Sequence, residues 1–411
     1  MWLCGLMIST AASLLAGLAC YLAFFGVFDA TAYQRDWLRY SEISTAATAG
    51  EDQTIRRTYA AVQLSWLSGR PLDGLQAARQ LHASLSSHPD NDELQFLSAK
   101  WQSYLHQPAA AERYLVRHGD LAYDPDLTGL AVEVALQQGR IADAESTLQQ
   151  ALSHKQDWAL LAQLAYLQSK TGDFATADQT YQLAADNLSA KQMRDYAWLE
   201  LQRGYLALSR GQADSAEQHY RWALNAYSGY WLAEDYWAEW LATRHRYEQA
   251  LRIYHRLAVC TGRPALFQTL GDLYLYLGRN DLAKAWHDLA LRAFIQAAES
   301  GDTQYYHHLA TLYADAYFNG TAAVHWATLD IQQRDNPSTR DALAWALFRD
   351  GRFKEALVHM QRALSYGWQD AHLYAHAGMI YLANGIVNQA QEYFQRAQRL
   401  NADYQAFHVH R

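Results

Sequence analysis

The chain has 411 residues, a net charge of −8 and an aromatic content of Trp 14, Tyr 28 and Phe 12. Glycine (22) and proline (6) are too few for the turn density of an all-β protein. The acidic balance, without any basic run, argues against nucleic acid as a partner, and three cysteines (Cys4, Cys20, Cys260) leave the body with one thiol and no disulfide framework.

From Trp2 to Phe28 no residue is charged. Such a run exceeds the ~20 residues that span a bilayer and predicts a transmembrane anchor over residues 1–32. The alternative is a cleaved signal, since Ala30-Thr31-Ala32 has the small-x-small spacing of a cleavage site. A leader of either kind puts the body at the cell envelope, membrane-anchored in the periplasm or secreted into it. Arg35 and Arg39 follow the run while no Lys or Arg precedes it, which supports the opposite orientation with a cytoplasmic body. Residues 33–52 are polar and rich in small side chains, and read as a linker or an irregular first helix.

Beyond residue 52 an alanine recurs at Ala77, Ala110, Ala144, Ala177, Ala216, Ala250, Ala283, Ala322, Ala356 and Ala390. The steps are 33, 34, 33, 39, 34, 33, 39, 34 and 34 residues, a period that denotes stacked two-helix units. Residues 337–366 show the pattern. Leu343, Ala344 and Leu347 stripe one helix; Asp350-Gly351-Arg352 makes a turn in which glycine can adopt the left-handed conformation. Phe353, Ala356, Met360 and Ala363 then stripe a second helix, and Pro337 opens the unit where its missing N–H costs nothing. The two 39-residue steps predict insertions near Asn187–Arg194 and Gln296–Thr303 that lengthen a second helix or its exit loop. His245 and Tyr317 stand where the turn glycine is expected in the sixth and eighth units.

Small residues at unit positions 8 and 20, glycine near 15, an aromatic near 24 and a small residue at 27 recur in Tyr374, Gly378, Tyr381, Gly385, Ala390, Phe394 and Ala397, in Leu270, Gly271, Gly278, Ala283 and Ala290, and in Gly204, Gly211, Ala216, Tyr220 and Ala223. This pattern resembles the tetratricopeptide repeat across residues 53–402, and the C-terminal segments are similar to bacterial proteins of that family. The resemblance implies an all-α, right-handed superhelical solenoid of about ten repeats behind the N-terminal apolar helix, with residues 403–411 as a tail. It also implies a non-enzymatic scaffold that binds a protein or peptide partner in a concave groove lined by helix A of each repeat.

Projecting the family's groove register gives Tyr166, Tyr205, Asp235, Glu239, Gln268, Asp272, His307, Asp315, Asp341, Trp345, Arg349 and Met379 as partner-binding candidates. Five are acidic, so the expected ligand is an extended segment with basic and aromatic or aliphatic groups, anchored on Trp345, Tyr205 and Tyr166. No catalytic, cofactor or metal site is expected. Glycine-rich phosphate loops and GxSxG are absent; adjacent His307 and His308 point about 100° apart on a helix, and His372 and His376 have i, i+4 spacing but no intervening HExxH glutamate. The competing reading is a carbohydrate-interacting module of a polysaccharide export system, with the many aromatics as stacking platforms.

Overall fold

A computed structural model of the chain describes residues 31–47, 50–118 and 124–407. The expected membrane or signal segment, and His408 and His410 of the tail, lie outside these residues. Among the described residues no helix is long and apolar enough to cross a membrane, and all regular structure is helical.

Within residues 33–52, expected as a linker or an irregular first helix, the chain forms a regular helix, Ala32–Thr45. Thr31 accepts from the Gln34 backbone and the Gln34 side chain reaches back to the Thr31 N–H. This capping box outweighs the weak apolar pattern that suggested a linker.

Ten two-helix units follow: Glu51–Ser68 with Pro71–Ser87, Asp92–Tyr104 with Pro108–His118, Pro125–Gln137 with Ile141–His154, Trp158–Thr171 with Phe174–Asp186, Met193–Leu208 with Ala213–Ala226, Trp231–Thr243 with Tyr247–Thr261, Pro264–Tyr276 with Asn280–Glu299, Tyr306–Asp315 with Gly320–Gln333, Pro337–Arg349 with Phe353–Ser365, and Ala371–Ala383 with Val387–Leu400. We number them one to ten and call their helices A and B. Each A helix packs on its own B helix, and successive A helices also touch through repeats one to four, five to six and eight to ten. The A helices therefore line the inner face and the B helices form the outer wall.

The recurring alanine marks where helix B crosses helix A. Ala144, Ala177, Ala216, Ala250 and Ala356 are fully buried. In repeats two and eight the buried residue is one later than the ruler, Ala111 and Ala323 in place of Ala110 and Ala322. Each of these repeats offers adjacent alanines, and helix B starts one residue later than the 34-residue step requires. On the A side the crossing needs glycine. A Cβ at Gly204 would lie 2.2 Å from the Tyr220 ring, and one at Gly378 would lie 2.5 Å from Phe394.

The left-handed residue of the eighth turn is Phe318 (φ 52), not Tyr317. His245 (φ 58) takes that conformation as the sequence suggests, and His106 (φ 61) does so in repeat two. The second insertion lengthens helix B of repeat seven to 20 residues. The first instead goes into the turn at 187–192 and into a 16-residue helix A in repeat five.

The solenoid closes on itself. Side chains at the inter-repeat corners donate to carbonyls at the C-terminal ends of A helices six repeats earlier, across sequence separations of 193 to 199 residues. Asn336 Nδ2 donates to Gln137 O (3.1 Å), Thr303 Oγ1 to Leu105 O, Arg263 to Gly69 O (3.4 Å) and Asn401 Nδ2 to Leu208 O (3.4 Å). The Gln369 backbone N–H donates to Lys170 O (2.7 Å), and Trp231 Nε1 to Leu67 O (2.9 Å). The last carbonyls of a helix have no partner within it; here the following superhelical turn supplies one. The seam is tight. A Cβ at Gly139 would lie 2.4 Å from Asp335 O, and one at Gly69 would lie 2.5 Å from the Trp231 ring. The Ala32–Thr45 helix joins the same seam, where Tyr227 donates its hydroxyl to Asp36 (2.6 Å).

Candidate partner-binding surface

Two groups of the predicted groove residues are brought together, in different surroundings. Tyr166 and Tyr205 flank Lys170 at the end of helix A in repeat four. The Lys170 ammonium lies 5.7 Å and 5.9 Å from their ring centres, 5.3 Å from that of Trp368 and 3.9 Å from the Asp370 carboxylate. Trp368 and Asp370 belong to the corner before repeat ten, so this cage spans the seam. Burial opposes the ammonium charge, but the surrounding tyrosines and Asp370 outweigh it and keep the Lys170 pKa above the ordinary lysine value. Burial likewise opposes the Asp370 charge, but Lys170, His372 and the backbone N–H groups of His372 and Leu373 together outweigh it, holding the carboxyl below the usual range. A small pocket beside the cage is lined by Tyr166, Lys170, Gln202, Tyr205, Arg210 and Asp370. Its cation is internal, so this cluster fastens two turns together.

The second group lies on helices A of repeats eight to ten. Trp345 stacks on His376 (ring centres 4.2 Å, planes 12° apart) and on Phe348 (5.0 Å, 20°). Its Nε1 donates to Asp315 at 3.0 Å. His376 Nδ1 is bonded to the Asp341 carboxylate (3.0 Å), which fixes the plane that Trp345 covers. Arg349 donates through Nε to Ala314 O (2.9 Å) and sits over Phe318 (4.9 Å) and Trp345 (5.8 Å). Met379 is 41% exposed one turn beyond His376. Four residues of the projected register, Asp315, Asp341, Trp345 and Arg349, thus meet in one aromatic and acidic surface.

The remaining positions are structural in their surroundings. Asp235 and Glu239 are buried, 7% and 1% exposed. Tyr220, Tyr236 and Tyr254 lie around them, each with its pKa raised, chiefly by burial and further by these carboxylates. Asp272 accepts from His287 (2.8 Å) across the A–B pair. Gln268 bonds His308 (2.9 Å), and His307 lies 3.6 Å from Asp330. The His307 and His308 rings are nearly perpendicular, at 84°, and face different partners. Among the described residues no group of three or more His, Cys, Asp or Glu is arranged to hold a metal ion.

The sequence reading missed Lys170, Trp368 and Asp370, because nothing local marks residues about two hundred positions apart as neighbours. His376 stood out only through its spacing from His372; its partners Asp341 and Trp345 lie one repeat upstream at the same helical height.

A, B pairs stacked in this way define a helical-repeat solenoid. Residues 371–404, repeat ten and its exit, match the family model described as Tetratricopeptide repeat. Repeat ten is thus a tetratricopeptide repeat, and the nine units before it share its two-helix form. No curated protein matches it. Among solved structures it is similar to the APC/C hetero-tetramer Cut9-Hcn1, at 15% identity over 90% of this chain and 74% of that one with a TM-score of 0.46. It is also similar to the human IFIT1 dimer with PPP-AAAA, at 15% identity over 91% and 96% with a TM-score of 0.44. A third likeness is to Pseudomonas aeruginosa pilF, at 16% identity over 52% and 96% with a TM-score of 0.32.

Proposed function

We propose that this chain is a non-enzymatic scaffold that holds an extended partner segment along helices A of repeats eight to ten. The observation that carries this reading is the Trp345 ring, stacked with His376 and Phe348, with Asp315 on its Nε1 and Asp341 on the His376 ring. An aromatic face attracts arginine and lysine heads, and adjacent carboxylates supply their countercharge. The fitting partner therefore carries basic residues with aromatic or aliphatic neighbours. Charge-assisted and stacked contacts of this kind bind without needing a reacting group. For the location we propose the cell envelope, on the strength of the uncharged run Trp2–Phe28.

Selection of a random peptide library on the immobilised full chain tests the binding surface. The expected result is enrichment of sequences mixing Arg or Lys with Trp, Phe or Leu, weakened about tenfold or more by Trp345→Ala. Enrichment of acidic peptides, or capture indifferent to Trp345→Ala, would overturn it. Protease added to intact spheroplasts tests the location: a digested body supports it, and a protected body contradicts it.

A further inference from the structure

The small pocket beside the Lys170 cage takes its walls from both superhelical turns. Repeats four and five supply Lys170, Tyr181, Gln202 and Arg210, and the corner before repeat ten supplies Gln369 and Asp370. Its volume is about 40 Å³, and a second recess of about 20 Å³ continues from it past Tyr205, Ser209 and Ala371. Space of this size holds a few water molecules, or one polar group with a short tail.

Donors and acceptors on these walls do not balance. The Ser169 and Ser209 hydroxyls donate to the Tyr166 and Leu206 carbonyls three residues back. The Gln369 amide donates to Gly367 O and accepts from the Tyr374 hydroxyl. Asp370 Oδ1 accepts from the His372 and Leu373 backbone N–H groups and so caps helix A of repeat ten. Four donor groups remain. The Lys170 ammonium is caged by rings, and the Asp370 carboxylate lies 3.9 Å away, beyond hydrogen-bond reach. Arg210 lies over the Phe174 ring, 4.8 Å from its centre, and its N–H groups have no acceptor among the described residues. The Gln202 amide and the Tyr181 hydroxyl have no partner there either, although Tyr181 is only 3% exposed.

Buried donors in folded proteins find acceptors, so donors that converge on one pocket describe the ligand that complements them. That ligand brings oxygen acceptors and negative charge. Two cations face one carboxylate here, and a single added negative charge completes the balance. A carboxylate carries that charge, and its two oxygens match the guanidinium fork. A phosphate monoester carries nearly two charges at neutral pH and would set the excess against Asp370. Phe174, Leu206 and Leu400 add apolar wall for a short hydrocarbon tail.

We propose that the seam pocket binds a small monocarboxylate, with its carboxylate on Arg210, Gln202 and Lys170 and its tail against Phe174, Leu206 and Leu400. The site needs both turns, so it is complete only in the closed superhelix, and a bound ligand favours that state. The proposal is independent of the inner-face binding surface, because Trp345 and Phe348 take no part in it.

Titration of the full chain with butyrate tests it, followed by ligand-observed NMR in a buffer without other carboxylates. Butyrate is expected to bind with a dissociation constant of about 1 mM. Its neutral isostere butyramide, and inorganic phosphate, are expected to bind about tenfold more weakly or worse. Arg210→Gln is expected to weaken butyrate about tenfold or more, and Gln202→Leu to weaken it less. Neither side chain is hydrogen bonded within the described chain, and unchanged circular dichroism verifies the fold of each variant. Hydrogen exchange is expected to slow with butyrate on both turns, around residues 170 and 370. No binding at about 50 mM, equal binding of butyramide, tighter binding of phosphate, or an affinity indifferent to Arg210→Gln would overturn the proposal.

Discussion

Alanine placed at two equivalent turn glycines separates the seam from everything local. Gly139 and Gly351 both follow helix A in the left-handed conformation, with φ 69 and 77. Adding a Cβ there costs each turn about 1–2 kcal/mol. At Gly351 that is the whole cost, because the new atom meets nothing within 4 Å. At Gly139 the methyl would also lie 2.4 Å from Asp335 O and 2.9 Å from the Tyr366 hydroxyl, both on the next superhelical turn. Relieving that overlap adds about 1–3 kcal/mol of the kind seen on overpacking. It also draws Asn336 away from the Gln137 carbonyl that it caps at 3.1 Å, a hydrogen bond worth about 1 kcal/mol. Solenoids unfold by parts, so hydrogen exchange read peptide by peptide is the suitable assay. Gly351→Ala should loosen repeat nine and its neighbours only. Gly139→Ala should speed exchange on both sides of the seam, in repeat three and in residues 335–349. Equal destabilisation by the two variants, or a Gly139→Ala response confined to repeat three, would refute the argument.

Other consequences are local. Ala356 is fully buried at an A–B crossing, so Ala356→Leu should cost about 1–3 kcal/mol; an unshifted denaturation midpoint would show that the crossing lies elsewhere. Burial pushes the His106 and His308 imidazoles down to about 3, with Arg334 and His307 adding and Asp330 opposing. Both are neutral in the fold and take up protons in the unfolded chain below its pKa of about 6.5. Their contribution is therefore complete above about pH 6.5 and is lost progressively toward about pH 3. His106→Asn, which tolerates the left-handed backbone, should reduce the slope of stability against pH between about 6 and about 5 by up to about 1.4 kcal/mol per unit. An unchanged slope would contradict the burial. For Asp330, burial favours the neutral form, but the nearby His307 ring and the charge and hydrogen bonds of Arg334 together outweigh it and hold the carboxyl far below the usual range. Asp330→Asn leaves the Arg334 charge without its partner (2.8 Å) and should cost about 3–5 kcal/mol at neutral pH; a loss below about 1 kcal/mol by urea denaturation would contradict this.

The repeats were legible because their signal is local. Helix A, turn and helix B lie within one 34-residue step, and the crossing tolerates only a small residue, so alanine and glycine recur where the geometry demands them. The one-residue slips at Ala111 and Ala323 arise where neighbouring alanines satisfy the spacing equally well. The seam left no such trace. Its donors are Trp231, Arg263, Thr303, Asn336 and Asn401, four residue types whose shared task is to reach a carbonyl in the previous turn. Asp235 and Glu239 illustrate the same gap: their register fits a groove, but the closed superhelix buries them. Asp315, Asp341, Trp345 and Arg349, on helices A of repeats eight and nine, stay at least partly exposed.

The central claim, that the solenoid winds back on itself within one chain, is most directly tested by a cross-link. A Cβ built at Gly172 falls 3.6 Å from the Cβ of Gln369, within the span of a disulfide. In a background without the native cysteines, Gly172→Cys combined with Gln369→Cys should oxidise to an intramolecular disulfide, visible by mass spectrometry as one linked peptide pair joining repeat four to the corner before repeat ten. Two thiols that stay reduced, or that link only between molecules, would contradict the closed superhelix.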